Sequence, residues 1–394
     1  MPRFLVLALT CLLPGCLAAQ NAVPRPIAPT SPFKAAWIAS VFNINFPSKA
    51  GLTAEQQQQE LTNLIELAKR SGLNALIFQV RPEGDALYRS PREPWSRFLT
   101  GTQGRDPGYD PLAFLIAEGA KRGIAIHAWV NPYRAAVDYT KPLTSNHMAR
   151  RFPAYAYRID NTLWMDPGSR EVQDLIIQVF DDLMKRYPGL VGIHIDDYFY
   201  PYPKNWKKPV RFPDDKTYAA YQSSGGRLSK EDWRRQNVNQ MVRRMYQTVK
   251  SNNPNAMFGI SPFGTYTKGA HPANIEVHLD QYHHLYADPV LWLREGWCDY
   301  MAPQLYWRDG GPQCFSTLLR WWRSPEINPR RIPIVPGIAL DRLGGSHNWP
   351  VSEITTQLTH AHQIGPGAGL GFAFWNIKGL QERPAQAIQW GRTH

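Results

Sequence analysis

Eight short apolar segments recur along this chain, each followed by a stretch with helical spacing, and that alternation restricts the fold more than any other feature. The strand-like segments fall at 34–41, 75–80, 124–130, 191–195, 257–262, 300–306, 332–337 and 369–375. The first intervening stretch, 53–71, places Leu61, Leu64, Ile65 and Ala68 on one helical face. Asp110-Pro111 and Asp288-Pro289 read as N-caps followed by proline at the first helical position. A strand–helix–strand repeat implies parallel pairing with right-handed crossovers. Eight repeats predict an α/β protein, a single (β/α)8 barrel over 32–394 with long loops gathered on its C-terminal face. A doubly wound open sheet is the competing architecture, but no glycine fingerprint follows the first strand to support it.

The fourth segment carries the chemistry. Val191, Ile193 and Ile195 alternate with Gly192, His194 and Asp196, and Asp197, Tyr198, Phe199 and Tyr200 follow. Successive strand residues point to opposite faces, so the aliphatic set suits the helical mantle and the other set the barrel interior. The same period sends Gln79, Arg81 and then Glu83 inward from the second strand, and His127, Trp129 and Asn131 from the third. From the sixth it sends Gln304 and Tyr306; Trp375 ends the eighth. A purely structural barrel fills its interior with branched aliphatics, so a convergent polar interior points to function.

Glycosidic cleavage requires a proton donor on the leaving oxygen and a second carboxylate across the anomeric carbon. Asp196 is the first choice for nucleophile or base, Glu83 the candidate acid, and Asp197 a second claimant for the pair. Arg81, His127, Trp129, Asn131, His194, Tyr198, Tyr200, Gln304, Tyr306 and Trp375 are candidate substrate contacts, the aromatic ones by stacking on sugar rings. His127, His194 and Asp196 together would make a possible metal site, but such histidines more often hydrogen-bond substrate or a carboxylate; no metal and no cofactor are expected.

The N-terminus bears on location. Met1-Pro2-Arg3 precedes an apolar run from Phe4 to Leu13, too short to span a bilayer but suited to export. Leu13-Pro14-Gly15-Cys16 then matches a lipobox, which makes residues 1–16 a lipoprotein-type signal, Cys16 the lipidated residue, and the Ala/Pro-rich 17–31 a tether. Cleavage after Ala19 to release a soluble protein is the alternative. A formal charge of +12 suits an anionic setting, and the basic residues are dispersed rather than interleaved with aromatics, so nucleic acid is not an expected partner. Cys298 and Cys314 flank a segment whose extended length exceeds disulfide reach, so two free thiols are expected. The oligomeric state is left open.

Several runs carry a resemblance. They include Phe78-Gln79-Val80-Arg81-Pro82-Glu83-Gly84-Asp85, Glu93-Pro94-Trp95-Ser96, and His127-Ala128-Trp129-Val130-Asn131-Pro132-Tyr133-Arg134. Gly192 to Tyr200, Gly259-Ile260-Ser261-Pro262-Phe263-Gly264 and Ala302-Pro303-Gln304-Leu305-Tyr306-Trp307 continue the pattern in order. Together they resemble the bacterial glycoside-hydrolase-like family ten. The resemblance implies a barrel glycosidase, exported or lipid-anchored in the cell envelope, with wall polysaccharide such as peptidoglycan glycan strands as substrate. It agrees with Asp196 and Asp197 and supplies no acid at Gln304, where many barrel glycosidases carry one. A barrel that only holds wall glycan while anchored to a membrane is the competing function, and a metal-dependent deacetylase the third.

Overall fold

The strand–helix alternation is realised as a closed ring of eight parallel strands in the computed structural model, which describes residues 32–204, 206, 208–344 and 346–393. The predicted signal, Cys16 and the tether lie outside the described residues. The strands are β1 (Phe33–Ile38), β2 (Ala75–Arg81), β3 (Ala125–Val130), β4 (Gly192–Ile195), β5 (Met257–Ile260), β6 (Tyr300–Met301), β7 (Gly337–Ala339) and β8 (Gly371–Trp375). They pair in parallel in the order β7-β8-β1-β2-β3-β4-β5-β6. Parallel bridges from Met301 to Ile334 and from Gln304 to Gly337 join β6 to the β7 segment and close the ring.

The mantle is formed by α1 (Ala54–Arg70), α2 (Pro111–Arg122), α3 (Arg170–Arg186), α4 (Lys230–Asn252), α5 (Pro289–Glu295), α6 (Phe315–Arg323), α7 (Val351–Gln363) and α8 (Pro384–Thr393), one after each strand. Their starts are set by local chemistry. Thr53 and Gln56 form a capping box at α1. Asp110 accepts from the Ala113 amide and Asp288 from the Leu291 amide, so both aspartates ahead of proline are caps.

Strand alternation divides the core in two. Leu76, Phe78, Val80, Ile126, Ala128, Ile193 and Ile195 pack outward with the apolar faces of the helices. Inside the ring a separate cluster holds Phe33, Trp37, Ile77, Trp129, Met257, Tyr300 and small residues including Ala35, Ala75 and Ala373. The large interior rings fit because β4 and β5 present glycine beside them. A Cβ on Gly192 would lie 2.3 Å from the Met257 carbonyl oxygen, and one on Gly259 would lie 2.0 Å from the Tyr300 ring.

Three features depart from the sequence-based expectation. The seventh strand was expected at 332–337, whereas the regular strand is Gly337–Ala339 and Ile334 contributes an isolated bridge. The loop after β3 contains a three-stranded antiparallel sheet of Arg134–Ala136, Ala156–Ile159 and Thr162–Met165. The loop after β4 contains a helix, Asp215–Ser223. These elements are short and lack a long apolar stripe, so periodicity does not register them. Cys298 is buried, Cys314 half-buried, and both are free thiols. Among the described residues, no helix is long and apolar enough to cross a membrane.

Candidate active site

The last inward position of β4 leads into Asp196 at the C-terminal mouth, and its neighbours build a carboxylate seat. Trp129 Nε1 donates to Asp196 Oδ2 at 3.0 Å, and Asn131 Nδ2 donates to the same oxygen at 2.6 Å. The Tyr198 amide donates to Oδ1 at 3.3 Å. Asn131 cannot turn away, because its Oδ1 accepts from Gln79 Nε2 at 2.6 Å and from Arg134 Nη2 at 3.1 Å. Gln79 is fixed in turn by the Ser40 and Val41 amides, each 2.9 Å from its Oε1. Donors from several strands and loops thus converge on one carboxylate.

Asp197 lies past the end of β4, where the two-residue period no longer applies, and its side chain reaches across to β6. Gln304 Nε2 donates to its Oδ1 at 3.1 Å, and the Tyr202 hydroxyl bonds its Oδ2. Asp196 is 4% exposed and Asp197 1%. Burial raises both carboxyls. Asp196 is pulled back by the Arg134 charge and its donors. Asp197 is pushed up to about 7, by burial first and by the neighbouring Asp196 charge second. Asp197 therefore keeps its proton up to about neutral pH, with Asp196 beside it.

The mouth above them is aromatic. Trp375 lies 6.2 Å from Trp37, 6.0 Å from Trp129 and 6.3 Å from Tyr306, ring centre to ring centre. An open cleft of about 690 Å³ extends from Gln304 and Tyr306 past Trp206, Phe263 and Trp307, with Lys268 and Arg342 on its walls. Trp206 is 41% exposed, which leaves a ring face for a sugar.

Other expected site residues lie elsewhere. Glu83 has loop partners only: Arg97 Nε sits 2.8 Å from its Oε1, and Arg97 Nη2 and the Val137 amide donate to Oε2 at 3.0 and 2.8 Å. Burial, then the Asp85 charge, raises it to about 8 against Arg97. Both of its oxygens are turned into the loop rather than the cleft, which corrects its assignment as the acid. Arg81 is fully buried and spends its donors on Glu93 and on the Asn131 and Pro132 carbonyls, so it is not a substrate contact. Tyr200 packs outside the ring against Phe212 and Tyr286 and likewise does not face the site.

His127 and His194 lie below the carboxylates, both fully buried. Trp37 Nε1 donates to His194 Nε2 at 3.3 Å, so that nitrogen accepts and His194 carries its proton on Nδ1. Nδ1 then donates to the Tyr300 hydroxyl at 2.9 Å, and Tyr300 donates to His127 Nδ1 at 3.2 Å. Burial drives His127 down to about 3 and His194 well below its usual value, so both rings are neutral. They support the floor beneath Asp196 and do not meet substrate, a correction to both. Among the described residues no group of three His, Cys, Asp or Glu side chains could hold a metal.

The expected Trp129, Asn131, Tyr198, Gln304, Tyr306 and Trp375 do gather around the mouth with Asp196 and Asp197. One carboxylate at this mouth was not anticipated. Asp341 follows β7 by two residues, in the 3-10 turn Leu340–Arg342; burial raises its carboxyl, and the nearby Trp375 indole is one of the groups that pull it back. Ala339, the last residue of β7, pairs with Trp375, and Asp341 follows where the chain has already turned out of the strand, so alternation gives no signal for it.

Comparisons with known proteins identify the family and the fold. Residues 32–350 match the family described as glycosyl hydrolase-like 10. The chain is 39% identical over 360 residues to glycosyl hydrolase YngK of Bacillus subtilis, covering 89% of this chain and 69% of that protein. It is 35% identical over 376 residues to glycosyl hydrolase DigH of Escherichia coli K12, covering 87% and 83% respectively. Among solved structures, the catalytic domain of a β-amylase from Paenibacillus polymyxa superposes with a TM-score of 0.58 at 11% identity, over 91% of this chain and 98% of that one. At that identity the likeness concerns the fold alone.

Proposed function

The chain belongs to the glycosyl hydrolase-like 10 family and is a glycoside hydrolase on a (β/α)8 barrel, and from that premise we propose that it cleaves the glycan strands of peptidoglycan with Asp197 as general acid and Asp196 as its anionic partner. The observation that carries the chemistry is the division of labour between the two carboxyls. Asp196 receives three hydrogen bonds, which suit an anion. Asp197 stands beside that anion and holds the proton. Gln304 touches Asp197 and lines the cleft, so a sugar bridge seated over Gln304 adjoins the acid once the Tyr202 hydroxyl gives way. As the glycosidic C–O bond breaks, the Asp197 proton passes to the leaving oxygen and the Asp196 charge opposes the positive charge growing on the ring. The aromatic walls with Lys268 and Arg342 suit an acidic amino-sugar polymer.

Purified wall glycan incubated with the protein should yield new reducing ends. The rate should follow the acid: full while Asp197 is protonated, falling as pH rises through about 7 in kcat/KM. Release that climbs steadily from pH 6 to pH 9 would remove Asp197 from the role, and binding of glycan without new reducing ends would remove the substrate reading.

The same reading places the protein in the bacterial envelope through lipidated Cys16, with residues 17–31 as tether. Labelled palmitate should enter the full-length protein expressed in a bacterial host and be lost in Cys16→Ser. Equal labelling of both would move the acylation away from Cys16, and none in either would favour a secreted soluble form.

A further inference from the structure

Hydrolysis needs a group to take a proton from the attacking water, and Asp196 and Asp197 are poorly placed to do it. Both leave the same strand end, both are nearly buried, and one oxygen of Asp196 already accepts two hydrogen bonds. A base that works through water must be open to water and must face the acid across the scissile bond.

We propose that Asp341 is that base: it stands at the end of β7, on the wall across β6 from Asp197, and together they bracket the sugar seated over Trp375 and Tyr306. The placement follows from the barrel. Asp197 reaches Gln304, Gln304 bridges to Gly337 of β7, and Ala339 of β7 pairs with Trp375 of β8. Trp375 lies near Asp341, and Trp129, 6.0 Å from Trp375 ring centre to ring centre, donates to Asp196. The aromatic floor therefore runs from Asp196, past the end of β4, to Trp375 beside the end of β7, which Asp341 follows. The Tyr306 phenol is pushed up by burial first, then by the charges of Asp341, Asp197, Tyr198 and Asp196.

Exposure separates the roles. The Asp341 side chain is open to solvent, unlike the β4 pair, although the surrounding protein still raises its carboxyl, and Arg342 beside it lines the cleft. In the step, Asp197 gives its proton to the glycosidic oxygen as that bond to the anomeric carbon breaks. A water oxygen forms the new bond from the opposite face, and Asp341 takes the water's proton. Solvent exchange then returns a proton to Asp197 and removes one from Asp341, for a net addition of one water. The anomeric configuration is inverted.

This inference rests on the glycan-strand reading, and the experiment keeps the two apart. On purified glycan strands, Asp341→Ala should lose about 10²–10⁴-fold in kcat with little change in KM. Azide should restore turnover to that variant, releasing a glycosyl azide, and should not accelerate the wild type. Asp341→Asn serves as the isosteric check and should be as inactive as Asp341→Ala. Proton NMR of the first wild-type product should show the inverted anomer. Wild-type rates in both variants, or a retained anomer, would overturn Asp341 as base while leaving the glycosidase intact. Failure of the wild type to cut the strands would defeat the substrate reading and this inference with it.

Discussion

Asp197→Asn is expected to lower kcat on glycan strands by about 10²–10⁴-fold while leaving KM within a few-fold of wild type. The substitution keeps the size of the side chain and an oxygen for the Gln304 amide, so the local packing with Tyr202 and Gln304 is disturbed little. What it removes is the proton on a carboxyl that burial first, and the neighbouring Asp196 charge second, keep protonated to about pH 7. The alkaline limb of kcat/KM should disappear in this variant, because the titrating group is gone. Asp196→Asn makes a different prediction from the same pair. It removes the charge that raises Asp197, so the limb should move to lower pH as the rate falls. A merely structural carboxyl would produce neither pattern. Glycan cleavage by Asp197→Asn within a few-fold of wild type, with the pH limb intact, would dismiss the acid assignment.

The features that were legible in the sequence are those governed by a strict period. Alternation along β3 and β4 placed Trp129, Asn131 and Asp196 on the inner face, and the structure joins them by hydrogen bonds. The helix starts were legible because Asp-Pro at 110 and 288 leaves few alternatives to a cap. Failure begins where the period ends. Glu83 and Tyr200 lie beyond the last residues of β2 and β4, and loop partners rather than strand geometry decide their direction. Arg81 is within β2, but a register shift after Gln79 pairs it with Val130 of the outer set, and alternation predicts neither that shift nor Glu93, twelve residues away. The histidines were correctly placed inside the ring and misjudged in depth. Sequence alone does not show that Trp37 and Tyr300 lie beside them.

Glu93→Ala is expected to cost about 3–5 kcal/mol of stability, the scale for removing one partner of a buried ion pair. Both side chains are fully buried, with Arg81 Nη2 2.6 Å and Nε 2.7 Å from the two Glu93 oxygens. Arg81 cannot relieve the loss by giving up its proton, so a guanidinium charge would remain out of water. Carbonyl oxygens of Asn131 and Pro132 would still accept from Nη1 but carry no compensating charge. Asp85, raised to about 6 by burial, is the nearby group able to offset part of the loss, and doing so would pull its proton affinity down. Denaturant unfolding of the single variant, beside the double variant Arg81→Met/Glu93→Leu, would measure this directly. The double variant should recover much of the loss, since it removes both desolvated charges. A single-variant loss under about 1 kcal/mol would mean the pair behaves as an exposed one. The consequence should extend to the mouth. Arg81 grips the Asn131 backbone while the Asn131 side chain donates to Asp196, so a loosened Arg81 should lower kcat with the carboxylates themselves untouched.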